Sequence, residues 1–118
     1  MAETKSRSPI TTHILDTQNG RAASGIAVEL LRLDPEAWTS LAKSETNQDG
    51  RVEGLLAPGS AVQPGVYCLK FFTAEYFKKL NLQSLYPVVL VQFEVKDSGH
   101  YHIPLLLSAF GYSTYKGT

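Results

Sequence analysis

Hydrophobic positions in this chain recur with a period of two, in short blocks separated by Gly, Pro, Asn or Asp. That spacing belongs to β-strands, whose side chains point alternately to opposite faces. Residues 88–95 show it best, with Val89, Val91, Phe93 and Val95 on one face and Gln92 and Glu94 on the other. Residues 10–16, rich in Thr and Ile, predict a strand that stops at the turn signal Gln18-Asn19-Gly20. Residues 26–33 place Ile26, Val28 and Leu30 on one face. Pattern alone would also allow a helix there, but the run is short and Asp34-Pro35 ends it. Residues 39–46 alternate into Asn47-Gln48-Asp49-Gly50, a hairpin-type turn with Gly last. Residues 66–73 alternate aromatic and aliphatic side chains. Residues 74–80 depart from the rule, with Tyr76, Phe77 and Leu80 at helical spacing, and predict one short helix. Residues 100–108 read as a strand in which Pro104 argues for an edge or a bulge. Residues 111–114 form a final short strand.

Many short strands at even spacing, with one helix, predict an all-β antiparallel sandwich. At 118 residues the chain fits one domain. The expected division is a disordered tail over residues 1–8 and a single domain over 9–118. The tail lacks an apolar segment, so no secretory signal is expected, and no apolar run approaches the ~20 residues that span a bilayer. Lys+Arg and Asp+Glu are both 11, so the net charge is zero and no broad footprint for nucleic acid or an anionic membrane is expected. The 19% of charged residues falls below the ~25% usual for soluble domains, which suggests surface covered by a partner subunit. The single cysteine, Cys68, excludes an intrachain disulfide and reads as a buried small hydrophobe. Cytoplasm is the expected compartment, or the peroxisome by a signal not evident in the chain.

Candidate chemistry is sparse. The histidines are His13, His100 and His102. His100 and His102 share a face on a strand, but such a pair is common and no acidic partner is visible, so no metal is assigned. Alternation puts His102 opposite Tyr101, Ile103, Leu105 and Leu107, which read as core. His13 sits in the middle of its strand. Arg51 follows the turn at Asp49-Gly50, where rigid backbone would present a guanidinium fork suited to a planar anion. No nucleotide fingerprint, Walker loop or serine nucleophile elbow is present. Spacing alone leads to a sandwich with a possible His/Arg pocket and no named reaction.

Four segments resemble the transthyretin-like 5-hydroxyisourate hydrolases of purine degradation. They are Thr12-His13-Ile14-Leu15-Asp16, Asp49-Gly50-Arg51, the run from His100 to Ser108, and the run from Gly111 to Thr118. The family's hallmark is a C-terminal Tyr-Arg-Gly-Ser. Tyr115-Lys116-Gly117-Thr118 keeps its first and third residues and replaces the others conservatively. The resemblance implies two four-stranded antiparallel sheets, a homotetramer and active sites in the channel between dimers. It implies hydrolytic ring opening of 5-hydroxyisourate to 2-oxo-4-hydroxy-4-carboxy-5-ureidoimidazoline, without cofactor or metal. His13 or His102 would activate water, and the other would donate to or orient the ring. Arg51 would stabilise developing charge and Thr118 would supply a hydroxyl. Tyr115, Lys116 and Gly117 would shape the substrate pocket, with His100 orienting a neighbour or lying at the rim. The alternative is a transthyretin-like protein that binds a small ligand without turnover.

Overall fold

Alternation fixes which side of each long strand is buried, and the sheets follow from pairing those buried sides. A computed structural model describes residues 8–118. In chain order they form β1 (Ile10–Asp16), β2 (Arg21–Ala22), β3 (Ala27–Asp34), β4 (Ala37–Glu45), β5 (Arg51–Val52), β6 (Gly65–Phe71), α1 (Thr73–Lys79), β7 (Val89–Val95), β8 (Tyr101–Ser108) and β9 (Gly111–Thr114). Every strand expected from the pattern is present, with ends shifted by a residue or two, and the helix falls where Tyr76 and Phe77 placed it. The two-residue strand β2 lies in a segment that reads as turn in sequence. Of the expected tail, residues 1–7 lie outside the described residues. Ser8 is buried, and its hydroxyl donates to the Ile10 carbonyl at 3.0 Å.

One sheet runs β4-β3-β6-β7 and is antiparallel throughout, as expected. The other runs β2-β1-β8-β9 and departs from expectation in two ways. The short strand β5 joins it beside β2, on the edge of β1 that β8 leaves open. In addition, β1 and β8 pair in parallel. Paired residues such as Thr11 and His102 lie 91 positions apart, so no tight hairpin forces the antiparallel sense. Pro104 also corrects its sequence reading, because β8 lies inside the sheet between β1 and β9. The Tyr101 N–H donates to Pro9 next to β1, and the His102 carbonyl accepts from Gly117 on the other side. Even-numbered backbone groups of β8 therefore face the C-terminal segment. The missing N–H of Pro104 falls just past Thr114, where the β8–β9 ladder has ended.

The core fills the space between the sheets. Ile10 and Ile14 of β1 and Leu105 and Leu107 of β8 meet Val28, Leu30, Leu69 and Phe71 of the second sheet. Phe77 of α1 joins the same cluster. The buried Thr12 hydroxyl donates to the Ile103 carbonyl at 2.6 Å, so the inward-facing polar side chain between Ile10 and Ile14 is satisfied.

The end of β1 is anchored by Asp16, which is 1% exposed. Burial raises its carboxyl pKa, but the hydrogen bonds from the side chain and backbone of Asn19, the Tyr76 hydroxyl and the Gln18 backbone outweigh burial and hold it below the ordinary value. The Tyr76 O–H donates at 2.6 Å. A carboxyl depressed in the folded state contributes stability above its unfolded pKa and loses it as pH falls through the folded value. Asp16→Asn is therefore expected to cost about 1–3 kcal/mol at pH 7. The gap from the parent should close below about pH 4, the unfolded carboxyl range, as the parent carboxyl protonates. Urea midpoints across pH at one protein concentration test this; a gap that persists unchanged at low pH contradicts it.

Candidate active site

The outer face of the mixed sheet collects the polar side chains that alternation keeps out of the core. On β1, Thr11 and His13 point outward between buried Ile10, Thr12 and Ile14. On β8, His102 and Leu106 point outward while Ile103, Leu105 and Leu107 are buried. Arg51 of β5 is exposed and Val52 is buried. Register pairs His13 with Arg51 on one edge of β1, and Thr11 with His102 on the other. Directly opposed residues on paired strands sit about 5 Å apart, so Arg51 flanks His13 and His102 lies one diagonal step away.

The turn at residues 47–50 sets two of these groups. Asn47 Oδ1 accepts from the backbone N–H groups of Asp49 (2.9 Å) and Arg51 (3.0 Å). The Gly50 N–H donates to the Asn47 carbonyl, and the Ile14 N–H donates to the Gly50 carbonyl at 2.7 Å. Gly50 has φ of +75°, and a Cβ there would lie 2.5 Å from the Ile14 carbonyl oxygen. Only glycine lets the turn close this tightly on β1. As a result Arg51 starts β5 opposite His13, and the Asp49 carbonyl meets His13 Nε2 at 2.9 Å. A carbonyl only accepts, so Nε2 carries the hydrogen and Nδ1 of the neutral ring holds the lone pair.

His102 is held from two sides. Its Nδ1 lies 2.8 Å from Thr11 Oγ1, and the same hydroxyl lies 3.0 Å from His100 Nε2. The rings of His100 and His102 stack with centroids 6.4 Å apart. On the other side, the Gly117 N–H donates to the His102 carbonyl at 2.8 Å. A Cβ on Gly117 would lie 2.6 Å from His102 Cδ2 and 3.2 Å from Pro104 Cγ, so the C-terminal segment rests directly on the ring.

His13, Arg51, His102 and Gly117 thus come together on one face. Lys116 goes elsewhere: its Nζ lies 5.2 Å from the centre of the Tyr101 ring, which belongs to the opposite side of β8. With Tyr115 it borders a groove of about 200 Å³ along Val91 and Phe93 of β7. Thr118 follows Gly117 and is exposed. Sequence reasoning found no group to orient the histidines; the fold supplies the Asp49 carbonyl and the Thr11 hydroxyl. Thr11 was legible from its two-residue spacing to His13. The carbonyl carried no signal, because every residue has one.

Cys68 is buried as expected, but on the outer side of β6 beneath Leu31, Trp38 and Leu90 rather than between the sheets. Burial pushes its thiol pKa up, away from the reactive thiolate. Among the described residues, no three His, Cys, Asp or Glu side chains gather as a metal site, and no helix is long and apolar enough to cross a membrane.

A two-sheet β-sandwich with a histidine and arginine face pinned under its C-terminal segment has the form of a transthyretin-like protein equipped for acid–base chemistry. The chain belongs to the HIUase/Transthyretin family, whose sequence model matches residues 10–117. It is similar to the 5-hydroxyisourate hydrolase of Mus musculus, with 46% identity over 114 residues that cover 94% of this chain and 96% of the relative. The structure of Klebsiella pneumoniae 5-hydroxyisourate hydrolase superimposes with a TM-score of 0.82 at 32% identity, covering 96% of this chain and 99% of that one. Sea bream transthyretin, solved in complex with thyroxine, superimposes with a TM-score of 0.87 at 28% identity, covering 94% and 96%.

Proposed function

We propose that this chain hydrolyses 5-hydroxyisourate to 2-oxo-4-hydroxy-4-carboxy-5-ureidoimidazoline, as the names of its hydrolase relatives suggest. The observation that carries the reading is His13. Its Nε2–H is committed to the Asp49 carbonyl, which leaves the lone pair to Nδ1, and His13 shares its face with Arg51 and His102. A neutral imidazole with a fixed lone pair is suited to take a proton from water near neutral pH. In the reaction, the water oxygen bonds to a ring carbonyl carbon as His13 Nδ1 receives its proton. Negative charge gathers on the carbonyl oxygen, where the Arg51 guanidinium offers paired donors. The carbon–nitrogen bond of the ring then breaks and the ring nitrogen takes a proton. His102 stands on the other side of this face to meet it.

The face itself supports assembly as a homotetramer. Leu15 and Leu106 pair in register across β1 and β8 and are only half-buried, so a second copy laid over them would cover apolar surface. Two such faces would enclose a channel and exclude water from the histidines. Thr118, next to Gly117, would line that channel, while Tyr115 and Lys116 border the groove along β7.

The deciding assay generates 5-hydroxyisourate in place with urate oxidase and follows the decay of its absorbance. Acceleration proportional to added protein is expected. Unchanged decay, with the compound nevertheless bound, would identify a transthyretin-like binder and overturn the hydrolase reading.

A further inference from the structure

The hydroxyl of Thr11 touches two imidazoles at once, His102 Nδ1 at 2.8 Å and His100 Nε2 at 3.0 Å. A threonine hydroxyl has one hydrogen to give. It can satisfy only one lone-pair nitrogen, so the other nitrogen facing it must carry its own hydrogen. The order of the lengths, 2.8 Å and then 3.0 Å, agrees with Thr11 O–H donating to His102 Nδ1 and His100 Nε2–H donating to Thr11.

We infer that Thr11, oriented by His100, is a positioning residue that keeps the proton of neutral His102 on Nε2. The inference rests on the hydrolase reading above and deepens it. His13 and His102 are indistinguishable as acid or base in the sequence. Their anchors separate them: a carbonyl that can only accept leaves His13 with a lone pair at Nδ1, while a hydroxyl that donates leaves His102 with an N–H at Nε2. One face then presents a proton acceptor for water and a proton donor for the departing ring nitrogen. The loop before His100 is built to hold its end of the chain. Asp97 Oδ1 accepts from the Gly99 N–H at 2.9 Å and from the Tyr101 hydroxyl at 3.0 Å, which fixes the approach to β8.

The test combines ring nitrogen NMR with kinetics of Thr11→Val and Thr11→Ser. In the ¹⁵N-labelled parent, His102 is expected as the Nε2–H tautomer, and in Thr11→Val as a mixture of tautomers. Valine keeps the shape but removes the hydroxyl, so kcat should fall roughly 10- to 100-fold, as when the outer partner of a working histidine is lost, with KM and the melting temperature little changed. Serine restores the hydroxyl and should recover most of kcat and the single tautomer. An Nδ1–H tautomer in the parent, or full kcat in Thr11→Val beside an inactive His102→Ala, overturns the inference and leaves the hydrolase reading intact. Full activity in His102→Ala removes His102 from the reaction and overturns both the assignment and the inference built on it.

Discussion

Alanine at His13, Arg51 or His102 is expected to lower turnover of 5-hydroxyisourate by at least about 100-fold, the lower range for loss of a general base or of an oxyanion donor. The reason is placement. All three side chains stand on the outer face of the mixed sheet, away from the cluster formed by Ile10, Ile14, Leu105 and Leu107. Alanine preserves the β1, β5 and β8 ladders that hold them, so the melting temperature should move little. His13→Ala removes the Nδ1 lone pair and strands the Asp49 carbonyl, which sits at an exposed turn where water can replace the lost bond. Arg51→Lys separates charge from geometry: the ammonium keeps the charge and loses the planar fork, so activity between that of the parent and that of Arg51→Ala is expected. Steady-state rates beside thermal melts provide the check. A near-normal rate in any alanine variant would remove that residue from the mechanism.

Removal of Tyr115 through Thr118 is expected to leave a folded protein with turnover reduced to a similar degree, because His102 loses the wall that Gly117 provides. None of the four residues belongs to the core, and Tyr115 is 55% exposed, so the circular dichroism spectrum should be unchanged. Gly117→Ala makes the same point with one methyl group. Its Cβ would meet His102 Cδ2 at 2.6 Å and Pro104 Cγ at 3.2 Å. The proline ring is rigid and the imidazole is tied to Thr11, so the clash must tilt the ring or lift the terminal segment off it. Either outcome misplaces a reacting nitrogen by a fraction of an ångström or more, which is expensive for proton transfer. Full activity in the truncated chain, with an unaltered spectrum, would make the terminal segment dispensable for catalysis here.

Local pattern determined a large share of this protein. The Thr- and Ile-rich run at residues 10–16 marked a strand with His13 in its middle, and alternation turned His102 away from Ile103 and Leu105. The run Asn47-Gln48-Asp49-Gly50 marked the turn, and the glycine at its end closes on Ile14 with a positive φ. These features are legible because side-chain direction and turn chemistry depend on neighbours within a few residues. The pairing of strands does not. That β1 and β8 run parallel, with Thr11 set opposite His102 rather than shifted by two, is decided by how the buried faces of distant segments fit together. The two-residue strands β2 and β5 are too short to show any period and exist because the edge of β1 accepts them. Pro104 inside a sheet is permitted because β9 stops at Thr114, which only the completed sheet reveals. The direction of Lys116, which lies over Tyr101 rather than beside His102, follows from alternation along a segment whose register Gly117 sets. Above all, the tautomer of each histidine is a property of the atom opposite its ring: a backbone carbonyl for His13 and a shared hydroxyl for His102. Sequence set each imidazole on its own strand, and tertiary pairing brought the two strands together on one face, where the proposed acceptor and donor roles depend on those contacts.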